Sequence, residues 1–307
     1  MLMDNKQHTA PTVLQKRAAE QRHVNRMKTF ADNVIEFNQS LDFRETLPQN
    51  IKIMNPFKEN EETIPISSSF YKKYYNDNNP RHLILGINPG RFGAGVTGVP
   101  FTDTKRLREK CGIKYFGRET HEPSSVFVYE VIEAYGGIDK FYNDFYINSV
   151  CPLGFLISDA KGKEKNYNYY DSKELTAAVS DFIVESIKKQ IGFGIETDIG
   201  YCLGTGKNEK FLRHINNENA FFKKIIALEH PRYVMQYKSK FKNQYIDKYI
   251  KAFDLIDGKK DFRACKFSEP ERSSSGSLKM DWIQDTPGYK NFYFWILLAT
   301  IPGFIVA

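Results

Sequence analysis

From about residue 80 onward, short apolar runs rich in β-favouring residues alternate with longer stretches of helical periodicity. The apolar runs lie at 82–87, 144–150, 198–204 and 224–229, and the helical stretches lie at 103–111, 125–135, 172–190, 207–216 and 238–256. Strands that alternate with helices predict a mostly parallel sheet with helices on both faces. The sequence therefore predicts an α/β fold, a three-layer α/β/α sandwich around a four-stranded sheet. Its ligand crevice is expected at the carboxyl ends of the strands.

The two ends of the chain depart from this alternation. Residues 1–40 predict a helical or flexible extension without the apolar stretch of a secretory signal. Residues 258–307 form a tail in which a polar linker precedes an uncharged run of sixteen residues at 292–307. A membrane-spanning helix needs roughly 20 apolar residues, so we expect a docked or disordered tail that does not anchor the chain. Residues 41–257 are the predicted main domain.

The net charge of +7 suggests an acidic partner such as nucleic acid, but most of the surplus lies outside the main domain. Residues 1–30 carry a net +4 and residues 258–307 a net +2, which leaves +1 for residues 31–257. The four cysteines include no Cys-x-x-Cys pair: Cys111, Cys151, Cys202 and Cys265. This spacing argues against a disulfide framework or zinc ribbon and favours a reducing compartment.

The first predicted strand runs into a segment, 86–101, in which seven of sixteen residues are glycine or proline. Few side chains remain there, so the backbone can approach a ligand closely. Residues 93–98 match G-x-G-x-x-G, but five residues separate them from the strand and Val-Pro-Phe follows, so dinucleotide binding by an oxidoreductase is a weak alternative. Asn208 after Gly206-Lys207 excludes a Walker loop. A turn without chemistry is the remaining alternative.

Four segments, in this order, resemble the single-strand-selective monofunctional branch of the uracil-DNA glycosylase superfamily. They are 86–101, Asn148 followed by 151–155, 200–206 followed by a helix, and 228–232. The match covers about residues 75–255. Arg232 directly after Pro231, and an Asn148-to-Cys151 spacing one residue longer than usual, place the chain in a bacterial subgroup of that branch. The resemblance implies the uracil-DNA glycosylase fold and makes residues 41–257 a catalytic domain.

The resemblance implies a role for each motif residue. Asn88 would hold the attacking water, His230 would stabilise the negative charge on the leaving base, and Phe101 would stack on that base. Asn148 would hydrogen-bond the base edge, because an amide offers both a donor and an acceptor, although strict motif spacing puts Ser149 in this role. The backbone expected to lie against the base belongs to Gly86, Ile87, Pro89 and Gly90.

The implied function is that of a monofunctional DNA glycosylase. Such an enzyme flips uracil, or a related deaminated base such as xanthine or hypoxanthine, out of DNA and hydrolyses its N-glycosidic bond. No lysine occupies a motif position, so we expect no Schiff base. The first cysteine, Cys111, lies beyond the first motif, so we expect no iron–sulfur cluster, no metal and no cofactor. DNA is the expected partner of a monomeric, cytoplasmic enzyme. The alternative is a catalytically idle DNA-binding protein on the same scaffold.

A basic run after His230 favours a DNA-binding surface. Residues 232–251 contain six Lys or Arg residues against one acid, Asp247, with five aromatic residues interleaved. Basic side chains can contact phosphates and aromatic rings can stack on bases, but an amphipathic helix with its tyrosines in the core explains the aromatic residues better. The predicted DNA contacts are Arg91, Arg232, Lys238 and Lys240.

Overall fold

The computed structural model describes residues 28–159 and 161–257. The helices and strands, in chain order, are α1 Phe30–Ser40, β1 Ile51–Met54, α2 Pro56–Glu59, α3 Thr63–Tyr74, β2 Arg81–Gly86, α4 Ala94–Thr97, α5 Thr104–Glu109, α6 Pro123–Tyr135, α7 Ile138–Asp144, β3 Phe145–Ser149, β4 Gly154–Ser158, β5 Glu164–Tyr167, α8 Lys173–Ile191, β6 Ile195–Leu203, α9 Lys207–Asn219, β7 Lys224–Leu228, α10 Pro231–Tyr237 and α11 Lys242–Phe253. All four predicted strands and all five predicted helices are present, with ends shifted by a few residues.

The central sheet contains the four predicted strands in the order β3-β2-β6-β7, all parallel. Each of the six residues of β2 is buried, which requires cover on both faces of the sheet because successive side chains point to opposite sides. On one face, the ring of Phe253 from α11 lies 4.6 Å from that of Phe145. On the other, Phe30 from α1 lies 5.2 Å from Tyr146. The predicted three-layer α/β/α fold is confirmed.

A second, smaller sheet was not predicted. Strands β1, β4 and β5 pair antiparallel in the order β1-β4-β5. The β5 sequence, Glu-Lys-Asn-Tyr, has no buried residue and no apolar alternation, so nothing in it signals a strand. This sheet brings β5 and the residues after it to the carboxyl end of β2, where Asn88 is hydrogen-bonded to Tyr167 and Tyr169.

Helix α1 falls within the stretch that the sequence assigned to an N-terminal extension. Thr29 and Asp32 form a capping box at its start, and Phe30, Val34 and Phe37 belong to the hydrophobic core. The folded unit thus includes residues from Phe30 onward. No helix within residues 28–159 or 161–257 is long and apolar enough to cross a membrane; the 292–307 segment lies outside these residues.

Candidate active site

The ends of β2, β3 and β7 meet around one cavity of about 140 Å³, roughly tenfold the space that one water requires by the same measure. The wall is formed by the segment after β2, by residues before α6, by residues of β5 and beyond, and by the β7–α10 turn. The lining residues are Ile87, Asn88, Pro89, Gly90, Ala94, Pro100, Phe101, Glu122, Ser124, Ser149, Asn166, Asn168, His230 and Arg232. Of these fourteen residues, six are Asn, Ser or His, six are apolar or glycine, and two, Glu122 and Arg232, are charged. This mixture suits a small ligand with apolar faces and polar edges.

Asn88 is held rigidly at the cavity wall. Its Nδ2 donates to the Tyr167 carbonyl at 3.2 Å, and its Oδ1 accepts from the Tyr169 amide at 3.2 Å. The Tyr169 hydroxyl donates to Asn208 Oδ1 at 2.7 Å, and Asn208 Nδ2 donates to the Gly86 carbonyl at 3.3 Å. Because these bonds fix the orientation of the Asn88 amide, its remaining Oδ1 lone pair has a defined direction.

Phe101 presents an aromatic ring to the cavity from a constrained turn. Its φ of +53° lies in the left-handed region, which non-glycine residues seldom adopt. The turn is held by the buried Thr97 hydroxyl, which donates to the Thr102 carbonyl at 2.7 Å. The ring packs over Gly86, where a Cβ atom would lie only 3.0 Å from it, and its centroid is 5.6 Å from that of His230.

His230 reaches the cavity from the turn after β7, as the residue that caps the start of α10. Its Nδ1 accepts the Arg232 amide hydrogen at 3.1 Å, so in the neutral ring Nε2 carries the proton. Burial, and secondarily the positive charge of Arg232, lower the pKa of His230 from 6.5 to about 4. At neutral pH this side chain is therefore an uncharged donor through Nε2.

In the structure, the Asn148 side chain is hydrogen-bonded within the fold. Its Nδ2 donates to the Tyr146 hydroxyl at 2.9 Å, its Oδ1 accepts from the Ser149 amide at 2.8 Å, and it does not line the cavity. Tyr146 and Asn148 are two residues apart in β3 and so share one face of the sheet. Ser149 points the other way and lines the cavity. The geometry thus favours the alternative that motif spacing had left open.

Most of the expected backbone contacts are at the cavity. Ile87, Pro89 and Gly90 line it. Gly86 does not, but its missing side chain is what allows Phe101 to approach. Six lining residues were not predicted: Ala94 and Pro100 within the 86–101 segment, and Glu122, Ser124, Asn166 and Asn168 outside every motif.

A larger groove of about 680 Å³ adjoins the cavity. Both are lined by Glu122, Ser124, Asn166 and Arg232. The predicted DNA contacts Arg91 and Arg232 lie in this groove, together with Lys165. Its residues are Arg91, Phe92, His121, Glu122, Pro123, Ser124, Lys165, Asn166, Arg232, Met235 and Gln236. With three Lys or Arg residues against a single acid, the groove suits a polyanion.

Lys238 and Lys240 line neither the cavity nor the groove, and their contact with DNA stays a prediction. The neighbouring aromatic residues differ in exposure, and Tyr245 is half-buried. Tyr249 is buried as expected for a core position, whereas the side chains of Tyr233, Tyr237 and Phe241 are exposed. The amphipathic interpretation therefore holds for only part of this run.

Cys111, Cys151 and Cys202 are free and buried. Burial raises the pKa of the Cys151 thiol to about 12, so it is not a ready nucleophile. Within residues 28–159 and 161–257 no three His, Cys, Asp or Glu side chains cluster as metal ligands do. Cys265 lies outside the described residues, and the absence of a metal or cofactor remains a prediction.

Comparison with known proteins agrees with the four motifs. The family model of the uracil DNA glycosylase superfamily matches residues 72–254. The crystal structure of wild-type SMUG2 from Pedobacter heparinus is similar, with 61% sequence identity and a TM-score of 0.74 over 76% of this chain and 100% of that chain. No curated protein matches the chain. The chain therefore belongs to the uracil DNA glycosylase superfamily, in its single-strand-selective monofunctional branch, and is a monofunctional DNA glycosylase.

Proposed function

We propose that this protein hydrolyses the N-glycosidic bond of uracil, and of the deaminated purines hypoxanthine and xanthine, after flipping the nucleotide out of DNA. The observation that carries the proposal is the pairing of a fixed amide, Asn88, with a neutral imidazole, His230, in one cavity beside the ring of Phe101. The similarity to the structure of Pedobacter heparinus SMUG2 supports it.

Each group has one task in this mechanism. The flipped base stacks on Phe101, and the Ser149 hydroxyl contacts its edge from the end of β3. Bond cleavage leaves negative charge on the base, which His230 Nε2–H stabilises by hydrogen bonding without transferring its proton. Asn88 Oδ1 holds the water that attacks the sugar carbon C1′. An amide cannot accept a proton near neutral pH, so Asn88 orients this water but does not activate it.

The groove beside the cavity is the proposed path of the DNA backbone. Arg91 and Arg232 line it, and contacts from such residues to phosphates make binding weaker as salt rises. Lys238 and Lys240 are proposed to extend this surface beyond Arg232. We propose a monomer that needs no metal and no cofactor.

The test is release of free base from oligonucleotides carrying one uracil, hypoxanthine or xanthine, in single and double strands. We expect His230→Ala to lower the rate about 10²–10³-fold, the range for loss of one stabilising donor, and Asn88→Ala to lower it at least tenfold. His214→Ala and Asn217→Ala are matched controls, because both side chains are exposed on α9.

Release of none of the three bases by the wild-type protein would leave only DNA binding and refute the proposal. Wild-type rates in either Asn88→Ala or His230→Ala would refute the role of that residue. Borohydride treatment should trap no covalent adduct with DNA, since no lysine lines the cavity in the described part of the chain.

A further inference from the structure

Glu122 brings a carboxyl group to the cavity wall just before α6. Its backbone amide donates to Asp103 Oδ2 at 2.7 Å, which fixes the main chain. The side chain lies over Gly93, where a Cβ atom would come within 2.1 Å of Glu122 Oε2, so a larger residue at position 93 would displace the carboxyl group. No hydrogen bond or ion pair from the carboxyl to another group occurs within residues 28–159 and 161–257. A carboxyl group on a fixed main chain that has no partner of its own is available to a ligand.

The place of Glu122 relative to the reaction follows from the two spaces that it lines. Glu122 and Arg232 belong both to the base-sized cavity and to the basic groove. A nucleotide with its base in the cavity and its phosphates in the groove must pass its sugar through the junction between them. In this proposed binding mode the glycosidic bond crosses the junction, which Glu122 lines.

The proposed hydrolysis also lacks a proton acceptor. The attacking water must lose a proton, and Asn88 cannot take it. His230 is unsuitable because its Nδ1 already accepts a hydrogen bond and its Nε2 is protonated. Among the residues that line the cavity, Glu122 is the one carboxyl group.

We propose that Glu122 is the general base of the reaction, a role that rests on the proposed function above. The water oxygen forms a bond to C1′, the C1′–N bond breaks, and its electron pair goes to the base nitrogen. The water proton passes to the Glu122 carboxylate. The resulting carboxylic acid then protonates the released base anion, directly or through solvent, which restores the carboxylate.

The surroundings of Glu122 suit a base that works near neutral pH. Burial, and secondarily the negative charge of Asp103, raise the pKa of Glu122 from 4.5 to about 7, against the opposing effect of Arg232. A general base is most effective when its pKa lies near the working pH. The other charged or titratable groups around the same junction and its supporting turn are Arg91, Arg106, His121, Lys165 and His230.

The experiment measures single-turnover base release from a uracil oligonucleotide between pH 5 and 9, with enzyme in excess. The wild-type rate should fall below a midpoint near pH 7, where Glu122 becomes protonated. The rate of base release by Glu122→Gln at pH 8 should be about 10²-fold or more below that of wild type, the usual contribution of a general base. Its rate should also lack the acid limb, the fall in rate below pH 7. Its affinity for an uncleavable fluorinated uridine analogue should stay within about threefold of wild type. Glu133→Gln, an exposed change near the end of α6, the helix that Glu122 precedes, is the matched control.

Two further variants separate catalysis from structure. Glu122→Ala should regain activity several-fold in added formate, which supplies a carboxylate to the vacated space. Arg232→Gln should move the acid limb to higher pH, because Arg232 lowers the pKa of Glu122. Wild-type rates in Glu122→Gln, or a loss with an unchanged acid limb and no formate rescue, would overturn the proposal. Failure of the wild-type enzyme to release any base would instead refute the proposed function.

Discussion

Replacing Glu122 with glutamine should stabilise the folded protein, and the gain should depend on pH. The folded-state pKa of Glu122 is raised from 4.5 to about 7 because burial disfavours its charged form. Below pH 4.5 the carboxyl is protonated in both the folded and the unfolded chain, so its ionisation does not affect stability. Between pH 4.5 and 7 only the unfolded chain gives up the proton, and the free energy of unfolding falls as pH rises.

The size of the effect follows from the shift. A difference of about 2.5 pKa units at about 1.36 kcal/mol per unit gives an upper value of about 3 kcal/mol above pH 7. Glutamine cannot ionise, so Glu122→Gln should escape this loss. For a folded unit of this size, about 3 kcal/mol corresponds to a rise in Tm of roughly 6–12 °C.

The assay is urea unfolding of the wild-type protein and of Glu122→Gln at pH 5 and pH 8.5. The free energy of unfolding of the variant should exceed that of wild type by about 2–3 kcal/mol more at pH 8.5 than at pH 5. Glu133→Gln should shift stability by less than about 0.5 kcal/mol at either pH, as surface substitutions do. An equal difference between variant and wild type at both pH values would refute the claim that Glu122 is ionised at a cost in the folded state.

Three other predictions test the site. Asn208→Ala should lower the free energy of unfolding by about 2–3 kcal/mol in urea, because buried hydrogen bonds to the ends of β2 and β6 are lost. Ser149→Ala should lower kcat/KM for uracil release with little change in Tm, whereas Asn148→Ala should mainly lower Tm, since its amide is bonded within the fold; the reverse pattern would restore Asn148 as the base reader. Arg91→Ala should reduce the slope of log K against log salt for DNA binding by about one, and an unchanged slope would exclude a phosphate contact.

The sequence predicted those parts of the site that depend on the ends of parallel strands. Asn88 and His230 are each the second residue after a strand, β2 and β7, and parallel register brings such ends to one edge of a sheet. Phe101 was found by its motif and not by periodicity, because a left-handed residue in a turn has no periodic signal. Its position depends on Thr97, whose hydroxyl bridges the turn from inside the core.

Other residues of the site could not be found in this way. Asn166 and Asn168 reach the cavity through a polar, antiparallel edge strand that carries no hydrophobic pattern. Glu122 precedes a helix far from every motif in the sequence, and only the fold places it beside Gly93. Asn148 was chosen over Ser149 as the base-reading residue because an amide offers both a donor and an acceptor. That choice did not consider which face of β3 each residue occupies. Strand parity puts Ser149 on the cavity side instead, because alternate residues of a strand must face opposite sides.

Burial in the cavity has the same electrostatic effect on Glu122 and His230. By disfavouring charge, it lowers the pKa of His230 to about 4 and raises that of Glu122 to about 7. Between about pH 4 and pH 7 both groups are neutral, so the folded state buries no charge at either residue. Catalysis as proposed requires neutral His230 and ionised Glu122, a combination that is reached only above about pH 7. Since His230 stays neutral at all higher pH, activity should rise through a single acid limb to a plateau, without the bell shape of an acid–base pair. The enzyme should then be most active under conditions in which the ionised Glu122 makes its fold less stable.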